Sequence, residues 1–127
     1  MKQKSIIKRV ISKDGICELT LTNPDKRNPL SLALIDKLQI DTHHFKGNFP
    51  DKCSVQAGYI KIKSSPKSIV NKSKSWKFIL GKSKLKAHKE HNFKITNNNK
   101  RVVNYIRINI FPDGGISRLR AFGAVKI

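Results

Sequence analysis

Cysteine is scarce in this chain: Cys17 and Cys53 are the only two in 127 residues, and they form no Cys-x-x-Cys pair. A disulfide framework is therefore not what holds it together, and both are read as reduced thiols. No apolar run approaches the roughly 20 residues needed to cross a bilayer, so no membrane partner is expected. Ile6-Ile7 is too short for the apolar core of a secretory leader. The N-terminus is basic, with no acidic residue before Asp14, and Val125-Lys126-Ile127 is not a peroxisomal tripeptide. A cytoplasmic location is expected, with mitochondrial and peroxisomal locations left open. Acidic residues are the other shortage: 8 Asp and Glu stand against 27 Lys and Arg, a net charge of +19.

The basic excess is uneven. Residues 1–38 carry 8 basic and 4 acidic residues, residues 39–127 carry 19 and 4, and the stretch 61–101 carries 13 basic residues and Glu90 alone. Such a field attracts polyanions and concentrates small carboxylates equally well. It is also what a solvated surface in a lysine-rich composition looks like. Trp76, Phe78 and Phe93 offer stacking surfaces, but no nucleic-acid-binding motif accompanies them, so nucleic acid is not the expected partner.

The length allows one domain and one core, and 38% hydrophobic residues suffice to fold it. Near the C-terminus Ile106, Ile108 and Ile110 alternate with Arg107, Asn109 and Phe111, the period of a half-buried strand. Pro112-Asp113-Gly114-Gly115 breaks it with turn chemistry. Alternation then resumes through Ile116, Arg118, Arg120 and Phe122 on one face and Leu119 and Ala121 on the other. This predicts a β-hairpin whose outer face carries Arg107, Arg118 and Arg120, three rigid donor forks suited to a carboxylate.

Earlier in the chain, Cys17, Leu19 and Leu21 alternate with polar residues as a strand, and Asn23-Pro24-Asp25 is a turn. Ser31 is placed to cap a short helix with Leu34, Ile35 and Leu38 on one side. Gly47-Asn48 and Pro50 mark another bend. Val55, Ala57 and Tyr59 alternate, and the parity then flips to Ile60 and Ile62, which predicts a bulge at Gly58. Residues 63–75 read as a mobile Lys/Ser loop, Trp76 to Leu80 as a strand, Gly81 to Lys89 as a basic loop, and His91 to Ile95 as a strand. Many short strands at close spacing predict an all-β sandwich.

Two stretches carry a resemblance. Asn109-Ile110-Phe111-Pro112-Asp113-Gly114-Gly115-Ile116-Ser117-Arg118-Leu119-Arg120-Ala121-Phe122-Gly123, with Arg107 ahead of it, resembles the signature of the allantoicase family. There a strand of the form R-x-N-I-(Y/F)-P-D-G-G-I-x-R-x-R-x-(Y/F)-G closes each of two homologous repeats. Asp41-Thr42-His43-His44-Phe45-Lys46-Gly47-Asn48-Phe49-Pro50 resembles the second signature, D-T-x-H-F-x-G-N-(Y/F)-P. The resemblance spans residues 40–127 and implies part of one repeat, folded as a jelly-roll β-sandwich of the galactose-binding type. A third stretch, Asp14-Gly15-Ile16, Leu19-Thr20-Leu21, Asn23-Pro24, Lys26-Arg27-Asn28 and Leu30-Ser31, resembles the opening strand and turn of a crotonase (enoyl-CoA hydratase) domain over residues 10–38. It lacks that family's oxyanion and catalytic segments, so no crotonase activity follows. The expected organisation is a crotonase-like segment over 1–38, with a β-turn-α start, and a partial allantoicase repeat over 39–127.

What the allantoicase resemblance implies is hydrolysis of allantoate to ureidoglycolate and urea in purine catabolism, a cut at a linear amidine-type C–N bond. On the matched positions, Arg107, Arg118 and Arg120 would hold the carboxylate, Asn48 and Asn109 the ureido group, and Asp41 and His44 would position water or move a proton. Asp113 shapes its turn. The alternative is a remnant or mis-joined fragment without activity, acting as a basic polyanion-binding β module. Incomplete strands would leave sheet edges free to pair with a second copy. A metal is weighed separately. His43, His44, His88, His91 and Asp41 are enough ligands for zinc or manganese. Adjacent histidines on a strand point to opposite faces, however, and His88-x-x-His91 sits among lysines that repel cations, so no metal or other cofactor is expected.

Overall fold

The computed structural model describes residues 3–10, 16–21, 32–96 and 99–126, with side chains described over 34–96 and 99–124. Nine strands and one helix follow in chain order: β1 (Gln3–Val10), β2 (Ile16–Leu21), β3 (Leu32–Asp41), β4 (Lys52–Gly58), α1 (Pro66–Ser73), β5 (Lys77–Lys84), β6 (Glu90–Lys94), β7 (Val102–Val103), β8 (Tyr105–Phe111) and β9 (Arg118–Lys126). Among the described residues the strand pairings are all antiparallel. The strands run β5-β4-β8-β2-β1-β9-β3-β6, with β7 added to β3.

This path folds over on itself. Cys53, Val55 and Ala57 of β4, Ile79 of β5 and Ile106 of β8 share one buried cluster with Ile35, Leu38 and Ile40 of β3 and Leu119 and Ala121 of β9. The β4, β5 and β8 part of the path therefore lies against the β3 and β9 part, with the buried apolar residues of these strands turned inward. The result is an all-β, jelly-roll-like sandwich, as expected. Among the described residues no helix is long and apolar enough to cross a membrane.

Several expectations are corrected. The helix expected after Ser31 is strand β3; Ser31 itself and the Asn23-Pro24-Asp25 turn lie outside the described residues. The apolar spacing misleads because the pairing of β3 with β9 shifts register between Ile35 and Lys37. That bulge lets Ile35 and Leu38, three apart, face the same core, at 2% and 0% exposure. The expected bulge at Gly58 is not there: β4 ends at Gly58, and its irregularities against β5 fall between Cys53 and Gln56.

The loop expected over 63–75 contains α1. Ser65 accepts the Ser68 N–H at 3.2 Å as N-cap, and Pro66 occupies the first turn, where a missing N–H costs nothing. Ile69 anchors the helix against Ile60, Trp76 and Tyr105. The strand after it is longer than expected and takes the first part of the basic loop, to Lys84.

The closing hairpin does not form. β8 pairs with β2 and β4, and β9 pairs with β1 and β3. The Pro112-Asp113-Gly114-Gly115 segment is thus a connection across the end of the sandwich. Arg107 and Asn109 stand opposite Gln56 and Ser54, on the outer face of β4 and β8. Arg118 and Arg120 stand opposite Asp41 and Gln39, on the outer face of β3 and β9. The three arginines do not share a face; they lie on opposite outsides of the sandwich.

Candidate functional site

Three loops meet at one end of the sandwich. The first leaves β3 through Thr42 to Pro50, the second joins β5 to β6 through Leu85 to Lys89, and the third joins β8 to β9. They are tied by backbone bonds. Ser117 gives both its N–H and its hydroxyl to the Asp41 carbonyl, at 2.8 and 2.9 Å. The Gly115 N–H reaches the Asn48 carbonyl at 2.8 Å, and the His88 N–H reaches the Phe45 carbonyl at 3.0 Å. Buried Thr42 donates its hydroxyl to the Lys86 carbonyl at 2.5 Å and accepts the Lys89 N–H at 3.1 Å. Gly114 has φ +136 and lies against the backbone of Phe49, where any side chain would collide; a Cβ on Gly115 would fall 2.1 Å from the Phe45 ring. Glycine is required here for close approach as much as for turning.

This end gathers Asp41, His44, Asn48 and Arg118. Asp41 is buried to 8% exposure, and its carboxylate accepts the His43 N–H at 2.8 Å and lies 3.8 Å from His43 Nδ1. Arg118 is exposed and stands across the β3–β9 ladder from Asp41, a register that puts both side chains on one face. Arg120 follows two residues on, half-buried, beside the Gln39–Asn92 side-chain bond. Asn48 is exposed.

The histidines are arranged unlike the sequence expectation. His43 and His44 sit in a turn, and His44 has φ +75. The alternation rule for strands does not apply there, and both rings come to the same side with His88. Ring centroids are 4.7 Å apart for His43 and His44 and 4.2 Å for His43 and His88. The His44 N–H donates to His88 Nδ1 at 2.8 Å. Desolvation, and then the neighbouring His43, Lys46 and His44 charges, hold His88 below the ordinary imidazole range. His91 is different: its Nε2 accepts the Lys86 N–H at 2.9 Å, so its Nδ1 carries the proton and donates to the Ile40 carbonyl at 3.0 Å. It is a structural side chain.

Arg107 and Asn109 belong to a second polar network, on the other side of the molecule under α1. Arg107 donates from Nε to Asn109 at 2.9 Å and from Nη1 to the Ser73 hydroxyl at 2.7 Å. Asn109 donates to Ser54 at 3.2 Å and to Gln56 at 3.0 Å, and Gln56 donates to the Trp76 carbonyl at 3.0 Å. Sequence reasoning missed Ser54, Gln56 and Ser73, all buried, because it did not see the helix that covers them. It also passed over Ser117, whose role depends on a contact with Asp41 far earlier in the chain, and it named His88 without seeing that the loops bring it beside His43 and His44.

A jelly-roll β-sandwich with a polar cluster where its loops meet at one end is the class that fold and site define. Comparison with known proteins narrows it. The allantoicase repeat matches residues 30–126, so the chain belongs to the allantoicase repeat family. The match includes residues 30–38, which the sequence reading gave to the crotonase-like segment. Probable allantoicase 1 of Burkholderia mallei is 44% identical over 93 residues, 73% of this chain and 27% of that protein. A probable allantoicase of Stutzerimonas stutzeri is 46% identical over 91 residues, 72% of this chain and 27% of that protein. The crystal structure of allantoicase from Saccharomyces cerevisiae superposes with a TM-score of 0.59 at 28% identity, covering 92% of this chain and 30% of that one. The chain thus spans under a third of the length of these relatives.

Proposed function

We propose that the chain serves allantoicase-type hydrolysis, allantoate and water giving ureidoglycolate and urea. The observation that carries this reading is the joining of the two signature stretches at one end of the sandwich, through the Ser117–Asp41 and Gly115–Asn48 bonds. Arg118 and Arg120 would take the substrate carboxylate, and Asn48 the ureido group. Asp41 and His44 would orient the water and pass its proton to the departing urea nitrogen. Arg107 and Asn109 would contribute from the separate network under α1, by holding β4, β8 and the helix together. The surrounding Lys46, Lys86 and Lys89 would raise the local concentration of an anionic substrate.

The test is urea release from allantoate by the purified chain. Turnover that falls about a hundredfold or more in Arg118→Ala and His44→Ala supports the reading. Equal turnover in the variants, or none from a folded chain, overturns it. The net charge of +19 favours a second reading, a basic module that binds polyanions. Binding of an oligonucleotide that weakens steeply with salt, together with no urea release, would select it.

We further propose a cytoplasmic location and self-association through β5 and β6, which end the strand order. The crotonase likeness read over residues 10–38, overlapped from residue 30 by the allantoicase match, carries no activity in this reading; β1 and β2 add strands to the same sheet, pairing with β9 and β8.

A further inference from the structure

We propose that His43, His44 and His88 form a binding site for a divalent transition metal of the zinc class, held by three imidazole nitrogens with solvent completing the shell. The site shares His44 with the proposed catalytic pair, and its test reads ion binding rather than urea release.

Their ligand-capable ring nitrogens all lie within 4.8 Å of one another, and all three side chains are exposed. A tetrahedral zinc site needs Zn–N near 2.0–2.1 Å and hence nitrogens about 3.3 Å apart, a closure that rotation of exposed rings supplies. Two further features point the same way. His44 and His88, at φ +75 and +49, are the described non-glycine residues with positive φ. Two unfavourable backbone conformations thus coincide at one cluster, which is where such strain is kept when a site needs it. Asp41 lies 3.8 Å from His43 Nδ1. That is beyond hydrogen-bond reach, but it sets a negative charge beside the cluster, which favours a bound cation.

The donor set selects the ion. Three neutral nitrogens suit zinc, nickel or copper, whereas magnesium and calcium require several oxygens. Lys46, Lys86 and Lys89 in the same loops oppose a purely electrostatic cation site but not coordination by nitrogen lone pairs. His91 is excluded as a ligand because both its nitrogens are already bonded.

Binding has a local signature. His88 Nδ1 now accepts the His44 N–H. A metal at Nδ1 displaces that bond. A metal at Nε2 moves the ring proton to Nδ1 and ends its role as acceptor. Either way the His44 amide loses its partner.

The experiment is titration of the full chain with zinc chloride, followed by calorimetry and by the amide resonances of His43, His44 and His88. Magnesium chloride is the control ion, and Cys17→Ser separates out zinc bound by an unrelated thiol. The expected result is one zinc per chain and a large shift of the His44 amide. Affinity should fall about tenfold or more in His43→Gln and in His88→Gln and stay unchanged in Cys17→Ser. Zinc uptake by both histidine variants equal to that of the wild-type chain, no uptake, or a His44 amide that does not move in the wild-type chain overturns the proposal. The amide shift is read on the unsubstituted protein, so it decides even where a variant fails to fold.

Discussion

Cys53 shows how position governs reactivity. It sits in β4 at 0% exposure, and burial pushes its thiol up to about 11. The thiolate is the reactive form, so at pH 8 this side chain is both uncharged and unreachable. In a Cys17→Ser protein, a thiol reagent is expected to label Cys53 no faster than the chain unfolds, and promptly in denaturant. Fast labelling of the native protein, followed by mass spectrometry, would refute this. Asp41, His44, Asn48 and Arg118 were picked from their motifs and do come to one end of the fold. Arg107 and Asn109 were assigned to the same cluster, and the structure puts them elsewhere, because motif membership says which residues are special and not which of them meet.

Elements were read less well, and each error has a physical cause. Periodicity identified β2, β4, β6, β8 and β9, and β5 as well, although there Ile79 is buried at 3% exposure and Phe78 is turned out at 52%. It failed at β3, where one bulge converts strand spacing into helical spacing. It failed at α1, where Ser65 and Pro66 carry the start signal but a lysine- and serine-rich composition masks it. Adjacent strands joined by a turn were taken to pair, and β8 and β9 do not. Turn chemistry describes the bend itself; the partner of each strand is chosen by the core. The loop contacts make a prediction at this scale. Gly115→Ala puts a methyl group into the Phe45 ring. The ring must move or the loops must part, at a cost of roughly 1–3 kcal/mol. Thermal melting should record the loss. The His44 and Ser117 amides should exchange faster than in wild type, while amides in the middle of β4 keep their protection. An unchanged melting temperature would show that the loops do not depend on this approach.

For the whole molecule, many short strands at close spacing foretold an all-β sandwich, and that is what folds. Self-association was foretold from missing strands and remains a proposal; among the described residues one edge it would use is β5. β5 carries Lys77, Lys82 and Lys84 along its length, with Phe78 at 52% exposure. Lysines on an edge strand oppose pairing by like-charge repulsion, and salt weakens that repulsion. Sedimentation should therefore show association that grows as salt is raised. A mass that stays monomeric at every salt and protein concentration would remove β5 as a contact.

The bond from Ser117 to Asp41 joins positions 76 residues apart. A chain forms short-range contacts early, and long separations slow folding because loop closure is unfavourable before the distant contact rewards it. No early hairpin supplies the site here, since β8 and β9 each wait for strands made much earlier in the chain. A partly folded molecule can have most of its strands and still no place to hold a ligand. The site is thus a late product of folding, and a ligand that binds it reports on completion of the fold rather than on the presence of its parts.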